Sequence, residues 1–308
     1  MRIAVFFGGD SPEREVSLMS GREVAKALRR KKHEVRLIDT AKKTFLKNLV
    51  RIKPECVFIA LHGGKGENGT AQGFLEMLGI PYTGSGVLSS SICLNKIIMK
   101  KILIYHGLPT ADFVEITPGQ KIVLPFCFPV VVKPANLGST IGIKIVKNQQ
   151  ELQRAVEECF ALDDEVFAEK YLRGKEITVG ILGNETAEVL PSIEIETPTG
   201  FYDYKAKYTV GGSRHIIPPR MTKESIMKIE DIAMKTYNVM RCSGVARMEI
   251  IMSKGIPYIL DVNTIPGLTK TSLLPDAAKA KGISFDDLCE RLVLLAMEKC
   301  KRKKQKKG

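Results

Sequence analysis

The sequence lacks the cysteine spacing that zinc sites and disulfide frameworks require. Its seven cysteines are odd in number, and no two of them are spaced as C-x-x-C. Disulfide-rich secreted domains and structural zinc sites both depend on such patterns, so neither class is indicated. This cysteine usage fits a protein of the reducing cytosol best.

Long apolar runs are also missing. The run that opens the chain is too short for a signal peptide. The uncharged stretch at residues 77–95 approaches the length of a membrane span, but glycines, serines and a proline interrupt it. We therefore expect a loop and a helix start there, and no membrane partner.

Acidic residues are outnumbered, which gives a formal net charge of +13. Seven of the cations lie in residues 299–308, so the body of the chain carries only +6. Basic termini are more often solvated than used for recognition, and this one has no aromatic side chains on which bases could stack. We predict no nucleic-acid partner.

Length and composition indicate a globular protein with more than one unit. The chain has 308 residues, 44% of them hydrophobic and 26% charged, whereas one domain usually spans about 100–200 residues. The first third alternates short apolar runs with amphipathic stretches, a pattern typical of a parallel sheet flanked by helices. Strands are predicted at 2–7, 35–38 and 56–61, helices at 17–30, 71–78 and 89–105, and a boundary at the glycine-rich residues 79–86.

The sharpest local pattern lies at residues 245–263, where a short turn around Gly255 separates two strand-like runs and predicts a hairpin. Glu249 and Asp261 are equidistant from Gly255, so a symmetric hairpin places their Cβ atoms about 5 Å apart. Two facing carboxylates repel each other unless a divalent cation bridges them. Asn263 offers a third oxygen ligand of the kind that magnesium binds. The alternative is an exposed hairpin whose acids face water.

Lys133 is a second candidate, because it ends a very apolar strand and precedes a glycine-containing turn at 138–142. A buried lysine needs an anion, and the amides of the turn could face phosphate oxygens. The alternative is a lysine that extends to solvent. The turn is not a Walker loop, because G-x-x-x-x-G-K-[ST] occurs nowhere in the chain.

A third candidate is the G-x-G-x-x-G run at residues 64–69, between a predicted strand and a predicted helix. It raises the alternative of a Rossmann dinucleotide site, and hence of an NAD-binding oxidoreductase. That site needs an acid about 20 residues further on to hold the ribose, and none occurs between Glu76 and Asp112. His62, beside the run, is either catalytic or a core histidine.

Taken together, five separated segments resemble the D-alanine–D-alanine ligase family. They are EREVS at 13–17, LHGGKGENGT at 61–70, YTGSG at 82–86, FYDYKAKY at 201–208 and DVNTIPG at 261–267. The likeness implies the ATP-grasp fold, with three α/β domains and ATP held between the central and carboxyl-terminal ones. The implied divisions are an amino-terminal domain at 1–86 on the side of the first substrate, a central subdomain at 87–176, a carboxyl-terminal subdomain at 177–298 with the metal site and a lid loop, and a basic tail at 299–308.

The resemblance also implies the reaction. ATP would phosphorylate the carboxylate of one D-alanine, and the amino group of a second would attack the acyl phosphate, giving a dipeptide for peptidoglycan. The implied cofactors are ATP and two magnesium ions, with manganese possible. A homodimer in the bacterial cytoplasm is expected, and ligases that accept D-serine or D-lactate are the alternatives within the fold.

Carried over by position, the resemblance assigns the nucleotide-binding and metal-binding residues. Lys96 and Lys133 would contact phosphates and Lys207 the γ-phosphate, while the adenine and ribose would be framed by Glu169, Tyr171, Leu172 and Glu176. Glu249, Asp261 and Asn263 would bind magnesium. Family members usually carry Asp and then Glu at the two carboxylates, so the order found here is reversed.

The same resemblance assigns the residues that bind and activate the amino acids. Glu15 would take the ammonium of the first D-alanine, with His62 nearby, and Ser272 and Leu273 would hold the second. Arg247 and the Gly267 N–H would stabilise the tetrahedral oxyanion. Ser139, Tyr208 and Glu15 would be linked by hydrogen bonds. Lys270 and Thr271 replace the usual Ser-His pair beside the second substrate.

Overall fold

The computed structural model describes residues 1–198, 211–269 and 271–305, apart from the side chains of residues 303 and 304. Within these ranges the strands form one parallel sheet and two antiparallel sheets. No helix in the described ranges is both long and apolar enough to cross a bilayer.

The first sheet is parallel, as the sequence predicts. Its strands are β1 (Arg2–Phe7), β2 (Glu34–Asp39) and β3 (Cys56–Ile59), in the order β2-β1-β3. The flanking helices are α1 (Arg14–Arg30), α2 (Phe45–Ile52) and α3 (Thr70–Met77). β3 is buried along its whole length, as expected of a parallel strand covered on both faces. We did not predict α2, a helix of two turns that buries only Leu49.

The second sheet is antiparallel, in the order β4-β7-β5-β6. Its strands are β4 (Phe113–Ile116), β5 (Val130–Pro134), β6 (Lys144–Val146) and β7 (Val166–Lys170). Three helices accompany it, α4 (Val87–Leu94), α5 (Lys96–Tyr105) and α6 (Gln149–Phe160). The single helix predicted over 89–105 is wrong: the chain becomes extended at Asn95, whose side chain accepts a hydrogen bond from the Ile98 N–H and caps α5. The break puts Lys96 in the first turn of α5.

The third sheet has the order β11-β10-β8-β12-β13, with β9 paired to β8. Its strands are β8 (Lys175–Gly183), β9 (Glu188–Val189), β10 (Ile193–Glu196), β11 (Arg214–Ile216), β12 (Gly244–Ser253) and β13 (Ile256–Asn263). The remaining helices are α7 (Lys223–Val239), α8 (Leu273–Ala280) and α9 (Phe285–Gln305). α9 packs on α1, where Arg30 and Asp286 form an ion pair with 2.6 Å between Nη2 and Oδ1.

The β12–β13 hairpin pairs Glu249 with Asp261, which confirms the predicted register. The prediction assumed a hairpin symmetric about Gly255, whereas the structure reaches this register through a two-residue turn and a β-bulge. Lys254 and Gly255 have φ of 49° and 80°, which is typical of a two-residue type I′ turn. Regular pairing from this turn matches Ile250 with Ile259 and would match Glu249 with Leu260. A β-bulge at Leu260 shifts the register by one residue.

Gly174, between β7 and β8, lies where the link between the second and third sheets passes very close to β12. A Cβ on Gly174 would lie 2.2 Å from the Met252 carbonyl oxygen, so Gly174→Ala forces β12 to move. We expect the free energy of unfolding to fall by about 1–3 kcal/mol in urea denaturation. The control is Gly73→Ala in α3, where the new Cβ would meet only a Val87 methyl at 3.7 Å. It should cost nothing and can add up to about 1 kcal/mol. Equal changes in the two variants would contradict this steric account.

Candidate active site

Two adjoining cavities lie between the sheets. The smaller, of about 80 Å³, is lined by residues of all three units, and the larger, of about 430 Å³, lies between the second and third sheets. Ligand pockets for small molecules usually have volumes of about 300–1,000 Å³. The residues common to both cavities are Lys96, Gly138, Ser139, Glu249 and Asp261. The two facing carboxylates of the hairpin therefore lie where the cavities meet.

The larger cavity has apolar walls on opposite sides. Ile143 and Ile145 come from the second sheet and its approach, and Ile251 and Leu260 from the third sheet. The bulge turns Leu260 toward this cavity beside Asp261. The structure brings six of the predicted nucleotide-binding residues to its lining: Lys96, Lys133, Glu169, Tyr171, Leu172 and Glu176. Tyr171 and Leu172 lie in the link between the two sheets.

Two of the lysines that line this cavity, Lys96 and Lys133, are nearly buried, and each has an acidic partner. The Lys133 Nζ lies 2.5 Å from the Glu169 Oε1. The Lys96 Nζ donates to the Leu137 carbonyl at 2.8 Å and lies 3.6 Å from the Asp261 Oδ1. Burial alone would raise the pKa of Glu169, but the charges of Lys100 and Lys133 outweigh it and hold that pKa below its ordinary value. Sequence reasoning missed this pairing of Glu169.

The turn after β5 has an unusual backbone. Ser139 and Thr140 have φ of 51° and 64°, a left-handed conformation that is uncommon outside glycine. Turns of this kind can direct consecutive amides into a concave anion site. Both residues line the larger cavity. The Ser139 hydroxyl also donates to the Glu13 carboxylate, which links the turn to the start of α1.

Glu249, Asp261 and Asn263 form a set of oxygen donors at the junction. The carboxylate side chains are only 16% and 23% exposed, so they do not lie on an open surface. Glu249 accepts a hydrogen bond from Arg247 at 2.8 Å, and the Asn263 Oδ1 accepts one from the Ile265 N–H at 2.9 Å and keeps a second lone pair. Among the described residues no cluster of three or more His, Cys, Asp or Glu side chains could hold a metal. Two carboxylates, an amide and nucleotide phosphates together are a donor set that suits magnesium.

The smaller cavity collects the residues predicted to bind amino acids. Its lining includes His62, Arg247, Gly267, Ser272 and Leu273. The ring of His62 is buried, with Nε2 at 3.2 Å from the Ser20 hydroxyl and Nδ1 at 3.6 Å from the Glu67 carboxylate. Sequence reasoning missed Glu67, which also lines the cavity.

Two interactions fix the far wall of the smaller cavity. The Arg247 guanidinium donates from Nη1 to the Thr178 hydroxyl at 2.9 Å, so its orientation is set from β8. Ser272, just before α8, accepts a hydrogen bond from the Thr269 N–H at 3.0 Å. A Cβ on Gly267 would come within 2.9 Å of the Ser272 Oγ. Glycine therefore lets the chain at 267 approach Ser272 closely.

The predicted placement of Glu15 at the site is wrong. Glu15 is exposed on α1, whereas Glu13 is 5% exposed and lines the smaller cavity. Residues two apart on a helix point about 200° apart, so only one of the two can face inward. The buried side of α1 includes Val16, Ser17 and Ser20, which are in phase with Glu13. The hydrogen bond predicted between Ser139 and Glu15 is made by Glu13.

Some predicted features lie outside the described residues. These are Lys207, Tyr208, most of the predicted lid loop, and Lys270. The G-x-G-x-x-G run is described, and packing accounts for one of its glycines. A Cβ on Gly66 would lie 2.4 Å from the Leu61 Cβ, and the Gly66 carbonyl accepts a hydrogen bond from Gln72.

Comparison with known proteins agrees with this geometry. A family model described as D-ala D-ala ligase C-terminus matches residues 102–294, and one described as D-ala D-ala ligase N-terminus matches residues 2–53 and 43–85. The D-alanine–D-alanine ligase of Pelotomaculum thermopropionicum is 48% identical over 315 residues, covering 97% of this chain and 98% of the relative. That of Desulforudis audaxviator is 46% identical over 304 residues, covering 97% and 99%.

A solved structure gives the same result for the fold. The D-alanine–D-alanine ligase from Bacillus anthracis complexed with ATP is 36% identical and has a TM-score of 0.86, covering 98% of this chain and 99% of that one. The predicted ATP-grasp fold is confirmed, and the oxidoreductase alternative is not favoured. The chain belongs to the D-alanine–D-alanine ligase family.

Proposed function

We propose that the protein joins two D-alanines to D-alanyl-D-alanine, using ATP and releasing ADP and phosphate. The observation that carries this proposal is the meeting of the two cavities at Glu249 and Asp261. A nucleotide bound in the larger cavity would place its phosphates at this junction. An amino acid in the smaller cavity would present its carboxylate at the same point. The similar ligase from Bacillus anthracis was solved in complex with ATP, which supports ATP as the nucleotide.

Nucleotide binding belongs to the larger cavity. Its apolar walls would hold the adenine ring, with Tyr171, Leu172 and Glu176 beside the base and ribose. The ammonium groups of Lys96 and Lys133 would contact the phosphates, which carry the opposite charge. Lys207 is proposed for the γ-phosphate on the family resemblance. Glu169 would act mainly through the lysines that it pairs with.

The family implies magnesium, and the donor set at the junction fits it. Glu249, Asp261 and Asn263 would hold the ions, of which two are proposed. Bound magnesium would neutralise the charge that accumulates between the carboxylates and the phosphates during transfer. The hydrogen bond from Arg247 keeps the Glu249 carboxylate directed toward the junction.

The chemistry then takes two steps. A carboxylate oxygen of the first D-alanine, its ammonium held near Glu13 and His62, attacks the γ-phosphorus, and the bond to the bridging oxygen of ADP breaks. The amino group of the second D-alanine, placed by Ser272 and Leu273, attacks the carbonyl carbon of the acyl phosphate. Phosphate leaves with the electrons of the C–O bond, and the amine loses a proton.

One feature would speed the second step, and another would protect the acyl phosphate from hydrolysis. The guanidinium of Arg247 and the N–H of Gly267 would stabilise the oxyanion that forms on the carbonyl oxygen. The hydrogen bond from Ser139 to Glu13 joins the turn to the start of α1 beside the smaller cavity, a link that would help to keep water from the acyl phosphate. Tyr208 is proposed to join this closure.

One assay separates the proposal from its alternatives. ADP release is measured with magnesium-ATP and D-alanine, alone and mixed with D-serine or D-lactate, and with L-alanine as control, and the product is identified by mass. We expect D-alanyl-D-alanine in step with ADP. A mixed product formed in preference would assign the D-serine or D-lactate alternative. Absence of ADP release with every amino acid would refute the ligase proposal.

The correction at the start of α1 gives a paired prediction. Glu13→Gln removes a nearly buried charge that would face the substrate ammonium, so kcat/KM for D-alanine should fall roughly a hundredfold. Glu15→Gln changes an exposed side chain and should stay within about twofold. Steady-state kinetics at saturating ATP measure both. A larger loss for Glu15→Gln would return the role to that residue.

The metal proposal has its own test. Glu249→Gln keeps the size of the side chain but removes one anionic ligand, so the magnesium concentration for half-maximal rate at fixed ATP should rise roughly tenfold or more. Calorimetric titration of Mn²⁺ with ADP present should show the same weakening without turnover. Glu158→Gln, at an exposed ion pair on α6, is the control. An unchanged titration in Glu249→Gln would exclude it as a ligand.

We also propose a homodimer in the bacterial cytoplasm. Exposed apolar side chains on the adjacent helices α3 and α4, including Met77 and Leu88, support an association surface there. Light scattering of the purified protein measures its mass. A monomer at micromolar concentration would contradict the dimer.

A further inference from the structure

Lys100 is a fully buried lysine with no place in the proposed chemistry. It lies on α5, one helical turn after Lys96, and is 0% exposed. Its Nζ donates to the Thr110 hydroxyl at 2.7 Å and to the Ala111 carbonyl at 3.1 Å, and lies 2.9 Å from the Glu169 Oε2. The ammonium thus has two hydrogen-bond acceptors and one ion-pair partner. Burying such a charge is costly, so its presence needs an explanation.

The charges of Glu169 and of the two lysines beside it suggest that explanation. One oxygen of Glu169 faces Lys100 and the other faces Lys133. Together these side chains carry a net charge of +1, and of the two lysines it is Lys133 that lines the larger cavity, where phosphates would bind. Without Lys100 the remaining pair would be neutral. Lys133 would then be balanced by Glu169 before any phosphate arrived.

The Lys100 ammonium also connects Glu169, at the larger cavity, to β13, the strand that carries Asp261. Thr110, which accepts from Lys100, donates its own hydroxyl hydrogen to the Ile259 carbonyl on β13 at 2.8 Å. The Ile259 N–H donates to the Pro109 carbonyl at 2.8 Å. Ile259 lies directly before the bulge at Leu260 and two residues before Asp261. Lys100 therefore contacts, directly or through one hydroxyl, the strands that carry Glu169 and Asp261.

We propose that Lys100 is a positioning residue for nucleotide binding: it neutralises Glu169 and so leaves the charge of Lys133 available to the nucleotide phosphates. This inference rests on the proposed function, because it takes the larger cavity as the nucleotide site. A purely structural lysine would affect the binding of the base and of the phosphates alike. The role proposed for Lys100 affects the binding of the phosphates and not that of the base.

Binding of ADP and of adenosine, measured by calorimetry without amino acids, tests the assignment. Lys100→Met keeps an unbranched, buried side chain and removes the charge. We expect the affinity for ADP to fall about tenfold or more, and that for adenosine to change less than threefold. Lys101→Met is the control, because Lys101 is exposed and pairs with Glu115. An equal loss for both ligands, or none for ADP, would overturn the proposal.

A second variant separates charge from packing. In Lys100→Met combined with Glu169→Gln, the anion that would capture Lys133 is also gone. ADP affinity should recover to within about threefold of the unaltered protein, which also serves if Lys100→Met alone does not fold. A double variant as weak as the single one would refute action through Glu169. Nucleotide binding without ligation would refute the ligase proposal but leave this comparison intact.

Discussion

Charged side chains that leave water must be paired, and the active site of this protein is arranged by that constraint. Lys133 and Glu169, Lys96 and Asp261, and Arg247 and Glu249 are each withdrawn from solvent and lie next to an opposite charge. The first pair joins β5 to β7 within the second sheet, and the second joins α5 to β13, so pairing also ties the central unit to the third sheet. The cations and acids that a triphosphate and its metal would need are thus held in place before any ligand binds, which is the condition for electrostatic catalysis.

The hairpin shows how a small backbone irregularity serves the same end. Regular pairing from the type I′ turn would oppose Glu249 with an apolar side chain, and the acids would face opposite sides of the sheet. The bulge at Leu260 adds one residue to β13, which sets Glu249 against Asp261 and turns Leu260 into the larger cavity. One inserted residue therefore sets both the facing carboxylates proposed as metal ligands and part of the apolar wall proposed for the base.

Features that depend on local sequence patterns could be predicted from the sequence, and contacts between residues far apart in the chain could not. The parallel sheet, the hairpin and the strand ending at Lys133 follow from local alternation and turn residues. Glu13 was missed although helix phase favours it, because the assignment followed the motif and not the buried face of α1. Lys100 and Lys101 look alike in sequence. The four-residue spacing from Lys96 marks Lys100 as the inward one, but its partner Glu169 lies 69 positions away and only the fold brings them together.

The register explains why the two carboxylates proposed as metal ligands can occur in reversed order. Cross-strand neighbours share one space between their Cβ atoms, so exchanging a longer and a shorter acid across the pair leaves two carboxylates over the same junction. The exchange changes how far each carboxylate extends from its strand. The longer Glu249 side chain extends from β12 and accepts a hydrogen bond from Arg247, and the shorter Asp261 side chain stays close to β13 and to Lys96. Total charge at the junction is unchanged. The exchange therefore alters how each oxygen approaches an ion and preserves the pairing on which the site depends.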